Sequence, residues 1–415
     1  MASIDKMKAF LTILLICSFT ADASIIHVGQ QQKFRDTTSA FAFANDGDTI
    51  LVDPGIYHEK NLVITRQIIL RGIDHPVLDG DNEFEIISVK SDNVTIDGFR
   101  LQHTGESSIV DYAAIKIYNR RNVSILNNII IDAFFGIYAQ YGINCLIQNN
   151  TLIANKAEEQ QSGNGIHCWK SDSMRIIANK ISGHRDGIYF EFVTNSVIWR
   201  NTSFNNMRYG LHFMFSNDDA YITNIFENNG AGVAVMFSHG VKMFNNYFKE
   251  NWGDAAYGLL LKEIGDSYIE GNHFEKNSMA IYAEGANRIN VQKNVFKSNG
   301  WALKVQASCT DINLTQNNFI ANTFDVATNG SLVLNKFNSN YWDKYEGYDL
   351  DKNGIGDVCY RPVSMYAMIV EQNPPSILLF RSFMTTLLDK TEKLLPTLIP
   401  EDLKDDSPLM KPLVL

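Results

Sequence analysis

GIYFEFVTNSVIWRNTSFNNMRYGLHFMFSNDDAYITNIFENNGAGVAVM, residues 187–236, states one phrase three times. Gly187-Ile188, Gly210-Leu211 and Gly232-Val233 each open a short apolar stretch, and Asn201 and Asn224 stand at matching places between them. Outward from this segment, an N-x-(I/L/F) step recurs at Asn128, Asn150, Asn179, Asn224, Asn246, Asn272, Asn294, Asn317 and Asn335. Asn201 keeps the register with Ser203 in the apolar slot, and the commonest gaps are 22 and 23 residues. A second asparagine follows five residues later at Asn155, Asn206, Asn229, Asn251, Asn277, Asn299, Asn322 and Asn340. Short strands at a fixed period, broken by Asn and Gly, mean stacked coils. One coil cannot bury its own apolar face, whereas coils stacked at about 4.8 Å share a continuous core. Asparagine suits the corners because it tolerates left-handed backbone, and stacked amides can bond from rung to rung at roughly 1 kcal/mol each. The expected fold is all-β: a right-handed parallel β-helix solenoid of about a dozen coils, with a short helical C-terminal tail.

The remaining segments fall around this array. Residues 1–23 read as a signal peptide: Lys6 and Lys8, the apolar run Ala9 to Phe19, then Ala21-Asp22-Ala23 at the cleavage positions. About 11 apolar residues fall short of the roughly 20 that cross a bilayer. The mature chain is therefore expected to start at Ser24 and to be soluble outside the cytoplasm. Residues 24–90 look like an N-terminal cap, with a short helix near Ala40 to Ala44, and the first coils; residues 91–361 carry the repeats. Residues 362–415 form a helical and extended tail, with helical apolar spacing from Ile377 to Leu395, interrupted by Arg381. A net charge of -10 with no basic tract argues against nucleic acid. Cys145, Cys168, Cys309 and Cys359 form no C-x-x-C pair, so neither a zinc site nor a disulfide framework is indicated. Residues 156–163 and the segment around Trp252 to Tyr257 enlarge two coils at one corner, about four rungs apart.

Alternation assigns sides within the strand after each Gly-Ile step. Tyr189 and Glu191, His212 and Met214, then Ala234 and Met236 face outward on successive rungs. His212, Met214 and Met236 should then meet on the surface, with small Ala234 beside the imidazole and His239 at the next corner. Thioether and imidazole ligands suit a soft cation such as Cu(I), held transiently; plain packing is the commoner use of methionine. Asp349, Asp351, Asn353 and Asp357 lie on a loop turned by Gly354, and oxygen ligands at alternate positions suit Ca²⁺. Tyr360 stands where an EF-hand loop would carry its bidentate glutamate, and a solvated turn is the alternative.

Several segments resemble the NosD family of nitrous oxide reductase maturation: YGLHFMFS (209–216), NNGAGVAVM (228–236), NWGDAAYGLLLKE (251–263), NGWALKVQASC (299–309), NTFDVATNG (322–330) and NYWDKYEGYDLDKNGIGDVCYRPVS (340–364), with LLFRSF (378–383) and the SPLMKPL tail. The resemblance covers essentially the whole mature chain. It implies a periplasmic, non-enzymatic accessory factor in assembly of the copper–sulfur centre of nitrous oxide reductase. It also implies membrane association through an ABC transporter, permease and ATPase (NosY, NosF), and work with a copper chaperone (NosL). No catalytic residue carries over. The alternative function is a polysaccharide lyase or epimerase on the same scaffold. Such enzymes need clustered acids, but the outward Glu191 and Glu284 lie about four rungs, roughly 19 Å, apart.

Overall fold

A computed structural model describes residues 23–107, 109–155, 158–253, 256–330, 335–394 and 403–415; the expected signal peptide up to residue 22 lies outside them. Three parallel sheets of 14, 12 and 13 strands run along the described chain. The first spans Ile25–Val28 to Lys336–Asn338, the second Leu62–Ile64 to Phe324–Ala327, and the third Ile56–His58 to Tyr341–Trp342. Each complete coil gives one strand to each sheet, so equivalent positions stack in register, as Ile188, Leu211, Val233 and Leu259 do. The repeat is thus a β-solenoid, as its period requires.

The two periodic features of the sequence become two internal columns. The apolar slot of the N-x-F step stacks Phe226, Phe248, Phe274, Phe296, Phe319 and Trp342, with successive ring centroids 5.6, 4.5, 5.0, 4.8 and 4.0 Å apart. The step asparagines form a buried ladder from Asn128 through Asn150, Asn179, Asn201, Asn224, Asn246, Asn272, Asn294 and Asn317 to Asn340. Each donates its backbone N–H and its side-chain amide to the Oδ1 of the next, for example Asn246 to Asn272 at 2.8 and 3.0 Å. A second, shorter ladder runs from Asn206 through Asn229, Asn251, Asn277 and Asn299 to Asn322.

Three details depart from the sequence reading. Asn340, not Asn335, continues the first ladder; the apolar slot there holds Trp342, which the N-x-(I/L/F) pattern passes over, while Asn335 accepts from Ile312 N–H. Asn155 is exposed, outside the second ladder. The left-handed residue at the corner is the one before the ladder asparagine, such as Asn127 (φ 52), Arg200 (φ 56) or Asn245 (φ 54).

Both ends are covered. Near the N-terminus the helix Thr37–Phe43, capped by Asp36 accepting from Ser39 N–H, buries Ala40 in the core. At the other end the helical spacing from Ile377 to Leu395 falls on the end of a tight helix Pro374–Leu379 and on a helix Phe383–Leu394, with Arg381 (φ 59) at the break between them; a further helix, Met365–Gln372, precedes them, and Leu395 lies outside the described residues. Met365–Gln372 packs through Tyr366, Ala367 and Val370 on Phe324 and Trp301, and Lys304 Nζ lies 2.7 Å from Glu371. Residues 403–415 then return to the last coil, where Asp405 bridges Phe337 and Leu409 bridges Tyr341.

Candidate functional site

The outward face of the second sheet carries the chemistry. Its registered positions form columns, because pleated side chains one rung apart are direct neighbours. In the middle column Tyr138, His167, Tyr189 and His212 stack ring on ring, with centroids 4.5, 4.8 and 4.6 Å apart. Lys116 Nζ lies 4.8 Å from the Tyr138 ring at the start of that column. The rings cover one another, so His212 is only 5% exposed rather than open at the surface as the alternation suggested. Burial pushes the His167 imidazole down to about 3, reinforced by nearby Arg185. Tyr189 is pushed up to about 12 by burial and by Glu191.

Beside His212 lies an ionic group that the sequence reading did not single out. Asp186 is fully buried and is gripped by Arg208 through Nε at 2.9 Å and Nη2 at 2.6 Å. His212 Nδ1 stops 3.6 Å from Asp186, an electrostatic contact rather than a hydrogen bond. Burial opposes ionisation of Asp186, but His212 and Arg208 outweigh it and hold the carboxyl below its ordinary value. Glu159, from the enlarged corner at 156–163, approaches Arg208 at 3.8 Å. The signal was the Arg185-Asp186 pair immediately ahead of Gly187-Ile188. The two enlarged corners both join the third sheet to the second, four rungs apart, as their spacing indicated.

The column nearest the next corner aligns Glu191, Met214, Met236 and Lys262. Met214 and Met236 are adjacent and half-buried. Immediately beyond them Phe192, Phe215 and Phe237 stack at 5.1 and 5.1 Å, each about two-fifths exposed. All three adopt left-handed backbone, φ 53, 52 and 53. That conformation disfavours a bulky side chain by roughly 1 kcal/mol or more. His239 is exposed, and its N–H donates to Asn217 at 2.9 Å. Sequence therefore places Met214 and Met236 together, while the His212 ring is turned into the aromatic column.

In the C-terminal loop Asp349 accepts from Asn353 and Gly354 N–H at 3.1 and 2.8 Å, and Asp357 accepts from Leu350 N–H at 2.7 Å. The carboxylates of Asp349, Asp351 and Asp357 are turned onto the loop itself and do not form a group with all ligand atoms within 4.8 Å. Asn353 accepts from Ile355 N–H at 2.7 Å. The cysteines 145, 168, 309 and 359 are free. Among the described residues no helix is long and apolar enough to cross a membrane.

Comparison with known proteins adds family information to this geometry. Residues 155–347 match the family model described as "Periplasmic copper-binding protein (NosD)", and residues 17–173 match "Right handed beta helix region". The chain is 27% identical over 372 residues to a probable ABC transporter binding protein NosD of Pseudomonas aeruginosa, covering 85% of this chain and 86% of that one. It is 23% identical over 434 residues to a probable ABC transporter binding protein NosD of Stutzerimonas stutzeri, covering 99% of this chain and 95% of that one. Among solved structures, the catalytic unit of the GH87 α-1,3-glucanase from Streptomyces thermodiastaticus aligns with a TM-score of 0.56 at 13% identity, over 74% of this chain and 66% of that one. At that identity the likeness is one of fold. The resemblance to the NosD family, read first from the sequence, holds in these comparisons.

Proposed function

We propose that this chain is a periplasmic, non-enzymatic accessory factor in assembly of the copper–sulfur centre of nitrous oxide reductase. In this reading it acts with an ABC transporter (NosF, NosY) and a copper chaperone (NosL). The observation that carries the reading is the Met214–Met236 pair beside the exposed Phe192, Phe215 and Phe237. Thioethers suit Cu(I), and a strained, solvent-facing phenylalanine row suits a partner's apolar surface. Two thioethers leave coordination positions that a chaperone side chain completes, so binding is weak alone and tighter in the complex. His239 at the next corner is a further candidate ligand, whereas His212 would have to leave its covered place in the adjoining column to join. The test is Cu(I) titration with and without the chaperone, comparing wild type with a Met214→Leu, Met236→Leu double variant. Leucine keeps most of the methionine volume, so the fold survives. Uptake should fall at least tenfold; unchanged uptake and unchanged reductase maturation reject the site.

A second reading, a polysaccharide lyase or epimerase, draws on the buried Asp186–Arg208–His212 group beside Tyr189. Cleavage of uronate polymers by the wild type, abolished in His212→Ala, would favour it over the transfer role. For Asp349, Asp351, Asn353 and Asp357 the proposal is a Ca²⁺-stabilised loop closing the C-terminal end.

A further inference from the structure

A second cluster of ligand-bearing side chains lies far along the solenoid, near its N-terminal end. Strands Ile56–His58, Val77–Asp79 and Arg100–Gln102 of the third sheet end in register, setting His58, Asp79 and Gln102 side by side. After Asp79 the chain turns through two left-handed residues, Asp81 (φ 52) and Asn82 (φ 61). The turn swings Asp81 back over the sheet, so that His58 Nδ1 lies 2.7 Å from Asp81 Oδ1. The ligand atoms of His58, Asp79 and Asp81 all lie within 4.8 Å of one another.

Asp79 is fixed from behind. It accepts from Asp81 N–H at 3.0 Å and from Gln102 Nε2 at 2.8 Å, and His103 Nδ1 lies 3.0 Å from each of its oxygens. Its side chain is 9% exposed, whereas those of His58 and Asp81 are 58% and 50% exposed. The cluster thus has a braced base and an open side. Ion pairs between exposed groups contribute little to stability, so the fold alone does not call for this arrangement. A carboxylate oriented by surrounding donors is how metal sites hold their ligands.

We propose that His58, Asp79 and Asp81 bind a divalent transition cation of the Zn²⁺ type, with Gln102 and His103 as positioning residues. One imidazole and two carboxylates match a borderline cation, unlike the thioethers of Met214 and Met236 or the all-oxygen loop at 349–357. Zn–N and Zn–O bonds of about 2.0–2.2 Å put ligand atoms roughly 3.3–3.6 Å apart, so on binding His58 Nδ1 and Asp81 Oδ1, now 2.7 Å apart, separate slightly, while the wider spacings of the group close in. The His58–Asp81 hydrogen bond is exchanged for two metal bonds, and the imidazole proton on Nδ1 moves to Nε2. Three protein ligands leave the fourth position open to water or to a partner's side chain.

The experiment is calorimetric Zn²⁺ titration of the full mature chain after chelator treatment, for wild type, His58→Ala, Asp81→Asn, His103→Ala and Asp357→Asn. One equivalent should bind the wild type and Asp357→Asn alike. His58→Ala and Asp81→Asn should each weaken it by about 100-fold or more, and His103→Ala by about 10-fold, with the stoichiometry kept. Asp81→Asn preserves the turn and the side-chain shape, and metal-free melting temperatures equal to wild type show that folding is unaffected. Zinc binding unchanged in both His58→Ala and Asp81→Asn, or lost instead in Asp357→Asn, overturns the assignment.

Discussion

Asp405 shows how one residue can complete a fold. The first asparagine ladder is polarised: every rung points its donors toward the C-terminus, so the donors of the last asparagine, Asn340, have no further asparagine to accept them. A carboxylate fits, because it accepts and does not donate. Asp405 accepts from Asn340 N–H and Nδ2, Trp342 Nε1, Ser339 N–H and Ser407 N–H while fully buried. In Asp405→Asn an amide N–H₂ would face donors, and we expect a loss of roughly 3 kcal/mol in chemical denaturation. Loss below about 0.5 kcal/mol would show that water can take over this position. His184 is a residue of the opposite kind, buried in the core with both ring nitrogens unpaired. Burial pushes it down to about 4 from 6.5. Its neutral form is therefore favoured in the fold: the contribution is complete above about pH 6.5 and is lost as pH falls toward 4, about 3 kcal/mol in all. His184→Leu should remove that part of the acid sensitivity, measured as the difference between the two stability–pH curves over this window; parallel curves would show that the ring is protonated in the fold.

At the scale of strands and corners, most of the architecture was legible. A period of about 22 residues fixes which side chains meet on adjacent rungs, and Met214 beside Met236 follows from it alone. Exposure did not follow, because alternation tells only which side of a strand a residue leaves. The His212 ring leaves outward and is buried all the same by Tyr189 and Tyr209, at 4.6 and 4.8 Å. Long-range pairing was also illegible. Asp405 meets Asn340 across 65 residues, outside any repeat, and the His58–Asp81 turn lies in the less regular first coils. The ladder itself can be tested at its middle. Asn246→Ala strips Asn224 of its acceptor and leaves Tyr221 C=O without the amide at 2.9 Å. We expect a cost of about 1–3 kcal/mol; neutrality would mean that the asparagines serve only as turn formers. For the loop at 349–357, Ca²⁺ should raise the melting temperature by several degrees, and Asp357→Asn should abolish that rise, since a bound ion stabilises by its affinity for the folded state alone. An equal rise in both proteins would place the ion elsewhere.

For the molecule as a whole, the question is where an elongated, edge-capped solenoid would meet the transporter proposed as its partner. The tail answers with apolar side chains that its own solenoid leaves uncovered. Leu378 and Phe383 are 88% and 82% exposed, and Phe380, Met384 and Leu387 join them around the break at Arg381. The preceding helix anchors this segment on the second sheet through Tyr366 and Val370, and the following chain is tied down at Asp405. A patch held at both ends and open between them suits a partner's apolar surface, and the partner proposed for it is the permease. Removing residues 374–415 would be a poor test, because it also deletes the acceptor that closes the asparagine ladder and would weaken the fold. The sharper variant is Leu378→Ser with Phe383→Ser, which touches exposed side chains only and should leave thermal unfolding within about 0.5 kcal/mol of wild type. It should lose most of its co-purification with the transporter. Copper uptake by the isolated chain should stay intact, because Met214 and Met236 sit five and four rungs before the strand Phe324–Ala327 at the tail's anchor. Full co-purification of a folded double variant would transfer the transporter contact to another surface, and the Phe192–Phe215–Phe237 row would then be the first to substitute.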